Sequence, residues 1–212
     1  MVYKPNTVLV LAPHTDDGEF GCGGAIAKMI DEGARVIYAA FSAAEQSVLP
    51  NLPRDILRTE VKKATAVLGI KEEDCLVFDF EVRKFPENRQ KILDQLIRLN
   101  KEYSPDLVFL PSVNDTHQDH HTIALEGFRA FKRCTMLAYE VPWNNLDFRT
   151  ACFFGLSEDH LKKKIEALMK YESQAHRSYA TAEFIKSLAH TRGVQISKPY
   201  AETFEVVRWV MH

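Results

Sequence analysis

The sequence predicts one α/β domain, a mostly parallel β-sheet sandwiched between helices. Three observations carry that prediction. Short β-branched apolar runs alternate with amphipathic helical stretches from the N-terminus onward. The chain has 212 residues, which fits one domain at roughly 100–200 residues each and suffices to bury a core without staples. Apolar residues make up 46% and charged residues 26%, the balance of an ordinary soluble globular protein.

The elements follow in order. Thr7 to Ala12 is a β-branched apolar run, as in a strand buried on both faces of a parallel sheet. A polar, glycine-rich turn leads to a helix from about Cys22 to Glu32, stopped by Gly33. Ala34 to Phe41 reads as the second strand, and residues 42–53, with Pro50 and Pro53, read as a loop. Arg54 to Leu68 is an amphipathic helix that Gly69 terminates. Cys75 to Phe80 is the third strand. Asn88 to Tyr103 is a helix with Ile92, Leu96 and Leu99 on one face, broken by Ser104-Pro105. Asp106 to Leu110 is the fourth strand, followed by a polar loop from Pro111 to Asp119. A helix from about His121 to Lys132 and strands at Thr135 to Glu140 and Cys152 to Leu156 come next. Glu158 to Ser173 is a helix with Leu161, Ile165, Leu168 and Met169 on its apolar face. Thr181 to His190 is helical, and Thr203 to Val210 closes the chain as a strand. The run Lys162-Lys163-Lys164 reads as a solvated helix face.

Composition narrows the function. Lys and Arg total 27 against 29 Asp and Glu, a net charge of −2, which argues against a nucleic-acid binder. The four cysteines, Cys22, Cys75, Cys134 and Cys152, form no CxxC pair and read as free thiols in a reducing compartment. The apolar run after Asn6 is too short for a signal-peptide core. No stretch reaches the roughly 18 apolar residues of a membrane span. A cytoplasmic location is expected.

Ligands of open α/β sheets sit beyond the carboxyl ends of the strands, and two strand ends carry chemistry. After the first strand, His14, Asp16 and Asp17 lie within four residues. Neutral imidazole and carboxylate are zinc ligands, and three protein ligands with one open position is the catalytic pattern. A carboxylate beside the ion can instead take a proton from the attacking water. Adjacent aspartates can divide these roles; their other reading is helix capping. Gly21, Gly23 and Gly24 lack the GxGxxG spacing of a dinucleotide site but leave N–H groups at a helix start that an anion can occupy. After the fourth strand, Asp115, His117, Asp119, His120 and His121 place three of the chain's eight histidines and two aspartates within seven residues. Neighbouring strands would bring the two clusters to one spot, with ligands for one ion and a surplus Asp and His for hydrolysis.

The segments Ala-Pro-His14-Thr-Asp16-Asp17 and His117-Gln-Asp119-His120, with Gly21-Cys22-Gly23-Gly24, resemble those of the LmbE-like branch of the PIG-L family. Those proteins are zinc-dependent de-N-acetylases of N-acetylglucosaminyl conjugates. The resemblance extends along the chain through Glu60, Ala64, Leu68-Gly69, Pro105-Asp106, Ser173-Gln174, Arg192-Gly193 and Tyr200-Ala201-Glu202-x-Phe204. It implies a single LmbE-like deacetylase domain over residues 1–212, with a Rossmann-like three-layer sandwich. It implies one zinc ion on His14, Asp17 and His120, with iron or manganese as alternatives. Asp16 would be the general base and His117 the general acid or oxyanion stabiliser. Asp119 would orient a histidine, with Asp115 a weaker candidate for that task. The implied partner is a small-molecule sugar conjugate, and family members often assemble as symmetric oligomers. No other cofactor is implied.

Thr15 and Gln118 stand where the family usually has proline, and Gly18 where it often has glutamate, with Glu19 one place later. Leu57 stands where the family commonly has arginine, with Arg54 and Arg58 nearby. Arg54, Arg58, Arg83 and Trp143 are therefore the candidates for substrate specificity, whereas Glu140 and Asn144 are distinctive but name no substrate. Two other readings remain at this point. One is a metal-dependent esterase or phosphoesterase, which uses the same activated water. The other is a non-catalytic sugar-binding module on the same fold.

Overall fold

The structure, a computed structural model, describes residues 4–211. Seven strands, β1 (Thr7–His14), β2 (Arg35–Ser42), β3 (Cys75–Val77), β4 (Leu107–Pro111), β5 (Thr135–Tyr139), β6 (Cys152–Leu156) and β7 (Tyr200–Arg208), form one sheet. Their order is β3-β2-β1-β4-β5-β7-β6. β1 to β5 pair in parallel, and β7 runs antiparallel to both of its neighbours. The expected mostly parallel α/β sandwich is the observed architecture.

Alternation along β1 divides the core. Val8, Val10 and Ala12 face α1 (Asp17–Asp31), α2 (Ile56–Leu68) and α5 (Glu158–Leu168). Leu9 and Leu11 face α3 (Arg89–Tyr103) and α4 (Gln118–Ala130). A smaller apolar cluster joins Phe20 to α5 and to α6 (Ala182–Val194). Strand burial on both faces is what continuous apolar runs specify. Gly69 ends α2 at φ 95°, as expected of a left-handed cap, and Ser104 ends α3 before Pro105. The free cysteines form no disulfide among the described residues.

Several boundaries differ from expectation. The third strand stops at Val77, the helix expected to run to Ser173 stops at Leu168, and the last strand starts at Tyr200. The two differences that matter lie beside the histidine clusters. α1 starts at Asp17 rather than Cys22, so the glycine-rich segment is helical, with a break at Cys22 (φ −146°, ψ 21°). The glycines serve close packing there: a Cβ on Gly18 would fall 2.5 Å from the Tyr38 ring, and one on Gly21 would overlap the ring of Tyr139. α4 starts at Gln118 rather than His121, which puts Asp119 and His120 on its first turn.

The anion foreseen at a glycine-rich helix start is an internal one. Beyond the break at Cys22, the Glu202 carboxylate accepts from Gly24 N (2.9 Å) and Ala25 N (2.6 Å). Lys164 neutralises it at 2.5 Å and also donates to Phe20 O at 2.7 Å. The lysine run is therefore not wholly solvated, since Lys164 is only 5% exposed. Its position explains why. Leu161, Lys164 and Leu168 recur at helical spacing, so the third lysine falls on the buried stripe.

Removing one member of a buried ion pair leaves the other charge uncompensated. Lys164→Met is expected to lower unfolding stability by about 3–5 kcal/mol, measured by urea denaturation. Adding Glu202→Gln should return much of the loss.

Candidate metal centre and active site

Between β1 and β4 the strand order reverses. The chain winds outward through β2 and β3 on one side of β1, then crosses back to β4 on the other. Such a switch point opens a crevice at the carboxyl ends of the two strands. The first histidine cluster leaves β1 there and the second leaves β4, so the pairing of β1 with β4 brings them together.

Three ligand atoms converge. Asp17 Oδ2 lies 3.1 Å from His14 Nδ1 and 3.2 Å from His120 Nε2, and these two nitrogens lie 3.3 Å apart. Tetrahedral bonds of about 2.0–2.1 Å place ligand atoms roughly 3.3–3.4 Å from one another. The triangle therefore matches one face of a tetrahedral coordination shell. Its outer contacts are also those of metal-binding histidines. His14 Nε2 meets Asp119 Oδ2 at 3.0 Å, and His120 Nδ1 meets Asp115 Oδ2 at 2.7 Å. Asp119 and Asp115, the two carboxylates considered for orienting a histidine, thus contact one ring each, and Asp115 makes the shorter contact. The donor set fits a divalent ion. His117 lies close by, and the ligand atoms of the three histidines fall within 4.8 Å of one another.

The electrostatics of the cluster follow from its packing. Burial disfavours charge on both rings, but Asp17 and the carboxylate hydrogen bonds outweigh it, raising His14 to about 9 and His120 to about 10. Burial disfavours the Asp17 carboxylate as well, yet His120 and His14 hold its pKa far below the usual range. Two imidazoliums around one carboxylate are the protonic equivalent of a bound cation.

Asp16 occupies the N-cap position of α1 but makes no capping hydrogen bond, which disfavours its reading as a simple cap. It opens into the cleft. Burial, then the charge of Asp17, lift its carboxyl to about 6, within the range of a general base. His117 is the N-cap of α4, and its Nδ1 accepts from Asp119 N at 3.2 Å. That bond puts the proton of the neutral ring on Nε2. Burial, then His14 and His120, lower its pKa, which favours the neutral ring.

Below the turn, Glu19 is fully buried. The hydroxyls of Tyr38 and Tyr171 contact its carboxyl, and both also reach the carbonyl of Thr15, at 2.8 and 2.6 Å. Burial raises Glu19 to about 8 against these hydrogen bonds. The three side chains hold the turn that carries Asp16.

The cleft above the cluster measures about 370 Å³. Trp143 stacks on Tyr179 at its rim, with centroids 3.9 Å apart and planes 7° apart, and Phe20 packs edge-on against both. Of the specificity candidates, Arg83 and Trp143 line the cleft, together with Asn144. Arg54 and Arg58 turn instead toward Glu45, and Glu140 pairs with Arg192. Gln174, Arg177 and Tyr179 also line the cleft. Gln174 belongs to the Ser173-Gln174 pair of the resemblance, which gave it no role, whereas Arg177 and Tyr179 escape a sequence reading because no motif marks them. They arrive through the α5–α6 connection, anchored where Ser173 meets Glu60 of α2 at 3.0 Å.

With the geometry in place, the chain can be compared with known proteins. The PIG-L family model, described as GlcNAc-PI de-N-acetylase, matches residues 9–131, more than half of the 212 residues. The chain belongs to the PIG-L family. A diacetylchitobiose deacetylase of Thermococcus kodakarensis is 27% identical over 189 residues, which cover 79% of this chain and 69% of that protein. Among solved structures, the N,N'-diacetylchitobiose deacetylase of Pyrococcus horikoshii superposes with a TM-score of 0.80 at 22% identity, covering 96% of this chain and 84% of that one. The 4-carboxy-2-hydroxymuconate hydratase GalB of Pseudomonas putida superposes with a TM-score of 0.79 at 20% identity, covering 98% of both chains. The last two likenesses establish the fold. They also show that the same fold serves a hydratase, so the reaction has to be argued from the site.

Outer hydrogen-bond partners typically tune metal affinity about 10–100-fold. Asp115→Asn is accordingly expected to weaken binding of a divalent ion by about that factor, read with added zinc by competition with a chelator. Zinc added to metal-free protein should raise the melting temperature of the parent chain more than that of this variant.

Proposed function

We propose that this chain is a zinc-dependent hydrolase that removes the N-acetyl group from an N-acetylglucosamine-type conjugate, acting as one domain over residues 1–212. One observation carries the reading. Three ligand atoms converge at 3.1–3.3 Å, flanked by Asp16, whose side chain makes no capping bond, and by His117, whose Nδ1 accepts a backbone N–H and so leaves the ring proton on Nε2. Membership of the PIG-L family, and relatives named as deacetylases of acetylated amino sugars, supply the substrate class.

His14, Asp17 and His120 would hold the ion. When bound, it would supply Lewis acidity to the amide carbonyl and the attacking water. Asp16 takes a proton from that water as its oxygen adds to the carbonyl carbon. His117 Nε2–H donates to the oxygen on which negative charge develops. The C–N bond then breaks, the proton held by Asp16 goes to the leaving nitrogen, and the acetic acid released gives up its remaining proton to solvent or to the amine, leaving acetate. The neutral tautomer of His117 favours the oxyanion role over that of a general acid. Asp119 links the two halves of the site, holding His14 through its side chain and His117 through its backbone N–H.

A pure binding module needs neither Asp16 nor the oriented His117, and both are in place. An esterase would use the same groups, so substrate comparison separates it. No described helix is long and apolar enough to cross a membrane, and we place the chain in the cytoplasm.

Three variants test the division of labour. Asp17→Ala and His120→Ala should lose metal, measured by elemental analysis. Asp16→Asn should keep about one ion per chain and lose about a hundredfold or more in kcat on N-acetylglucosamine conjugates. Equal metal loss in all three would undo the assignment of Asp16.

A further inference from the structure

The two adjacent aspartates are held in different ways. Asp17 Oδ2 meets the backbone N–H of His14 and the rings of His14 and His120. Asp16 makes no capping bond, and the hydrogen bond that its carboxylate takes comes from its own backbone N–H. That N–H shares one plane with the carbonyl of Thr15. The direction in which the Asp16 carboxylate points is therefore set by the Thr15–Asp16 peptide unit.

This unit is gripped from its opposite side. The hydroxyls of Tyr38 and Tyr171 reach Thr15 O at 2.8 and 2.6 Å. One donor would satisfy that oxygen, so the second hydroxyl exceeds what burial of the carbonyl requires. Glu19 ties the pair together, since its two carboxyl oxygens contact one hydroxyl each, that of Tyr171 at 2.8 Å. The Tyr38 oxygen also accepts from Gly18 N at 3.1 Å, which fixes the Asp17–Gly18 unit. Phe20 N donates to Asp16 O at 3.1 Å, which fixes the unit between the aspartates. Three consecutive peptide planes are thus pinned around one unpartnered carboxylate. Thr15, Glu19, Tyr38 and Tyr171 are all buried, where such bonds are stronger than in water.

The grip comes from distant parts of the chain. Tyr38 lies on β2, and Tyr171 follows α5, at the head of the connection to α6. Neither tyrosine nor Glu19 lines the cleft, so any effect on the reaction has to pass through the turn. We propose that Tyr38 and Tyr171, bridged by Glu19, are positioning residues for Asp16, holding the Thr15–Asp16 peptide so that the carboxylate faces the attacking water. This inference rests on the reading of Asp16 as the general base of a deacetylase.

Tyr171→Phe leaves Tyr38 on the Thr15 carbonyl, so the variant is expected to fold. Loaded with zinc and assayed on N,N'-diacetylchitobiose and methyl N-acetylglucosaminide, it should keep its ion and its KM and lose about tenfold or more in kcat. Tyr139→Phe is the control. It removes another buried hydroxyl, one that donates to Leu11 O at 3.0 Å on the same strand but away from Asp16, and its kcat should hold. In an Asp16→Asn background, Tyr171→Phe should cost nothing further, because both changes remove one function. An unchanged kcat, an equal fall in Tyr139→Phe, loss of the ion, or a loss that adds to that of Asp16→Asn overturns the inference. Should Tyr171→Phe not fold, Tyr38→Phe is read in the same way. If the parent chain deacetylates neither probe, the deacetylase reading fails, and crystal structures decide the inference separately. Tyr171→Phe should then displace the Asp16 carboxylate by about 1 Å, the scale on which misplacement costs rate, with His14, Asp17 and His120 in place. A carboxylate that has not moved overturns it.

Discussion

A single carboxylate oxygen ties the site together. Asp17 Oδ2 accepts from the backbone N–H of His14 at 2.8 Å and lies within 3.2 Å of both the His14 and His120 rings. It therefore fixes the last residue of β1, the first residue of α1 and the first turn of α4 to one point. The strand cannot shift along β4, nor α4 turn about its axis, without breaking this junction. Like-charged or unpaired groups would be costly at such depth. The cluster is consequently built as alternating acid and imidazole, with Asp115 and Asp119 closing its two ends.

That junction depends on sheet order. Only a parallel β1–β4 pair at the reversal of winding brings the two clusters to one crevice. Antiparallel β7 then performs a separate task. Its Glu202 caps the start of the far half of α1, and its Glu205 accepts from Ser112 Oγ (2.6 Å), just after β4. The strand that departs from the parallel pattern thus supports the segments following both key strands.

Much of this arrangement was legible from residues. The clusters at His14–Asp17 and Asp115–His121 stood out because strand ends are where such sheets bind ligands, and the apolar runs located the strands to within a few residues. The start of α1 was not legible, because glycines read locally as a turn. Their helical state depends on Tyr38 and Tyr139, which lie against them from distant strands. The burial of Lys164 was obscured by its two solvated neighbours, although its spacing from Leu161 and Leu168 held the answer. Arg177 and Tyr179 had no signal, since their place in the cleft depends on how α5 and its following loop pack on α1 and α2.

The Trp143–Tyr179 stack has a mechanical consequence. The two rings belong to different connections, one after β5 and one before α6. Stacked in parallel and braced edge-on by Phe20, they splint these loops into a single jaw. Widening the cleft for a bulkier guest must then move both loops in concert or separate the rings, at about 0.5–1.5 kcal/mol beyond lost burial. Aperture becomes one coordinate instead of two, and a change at either ring would retune the bite of the whole mouth without touching a group that reacts.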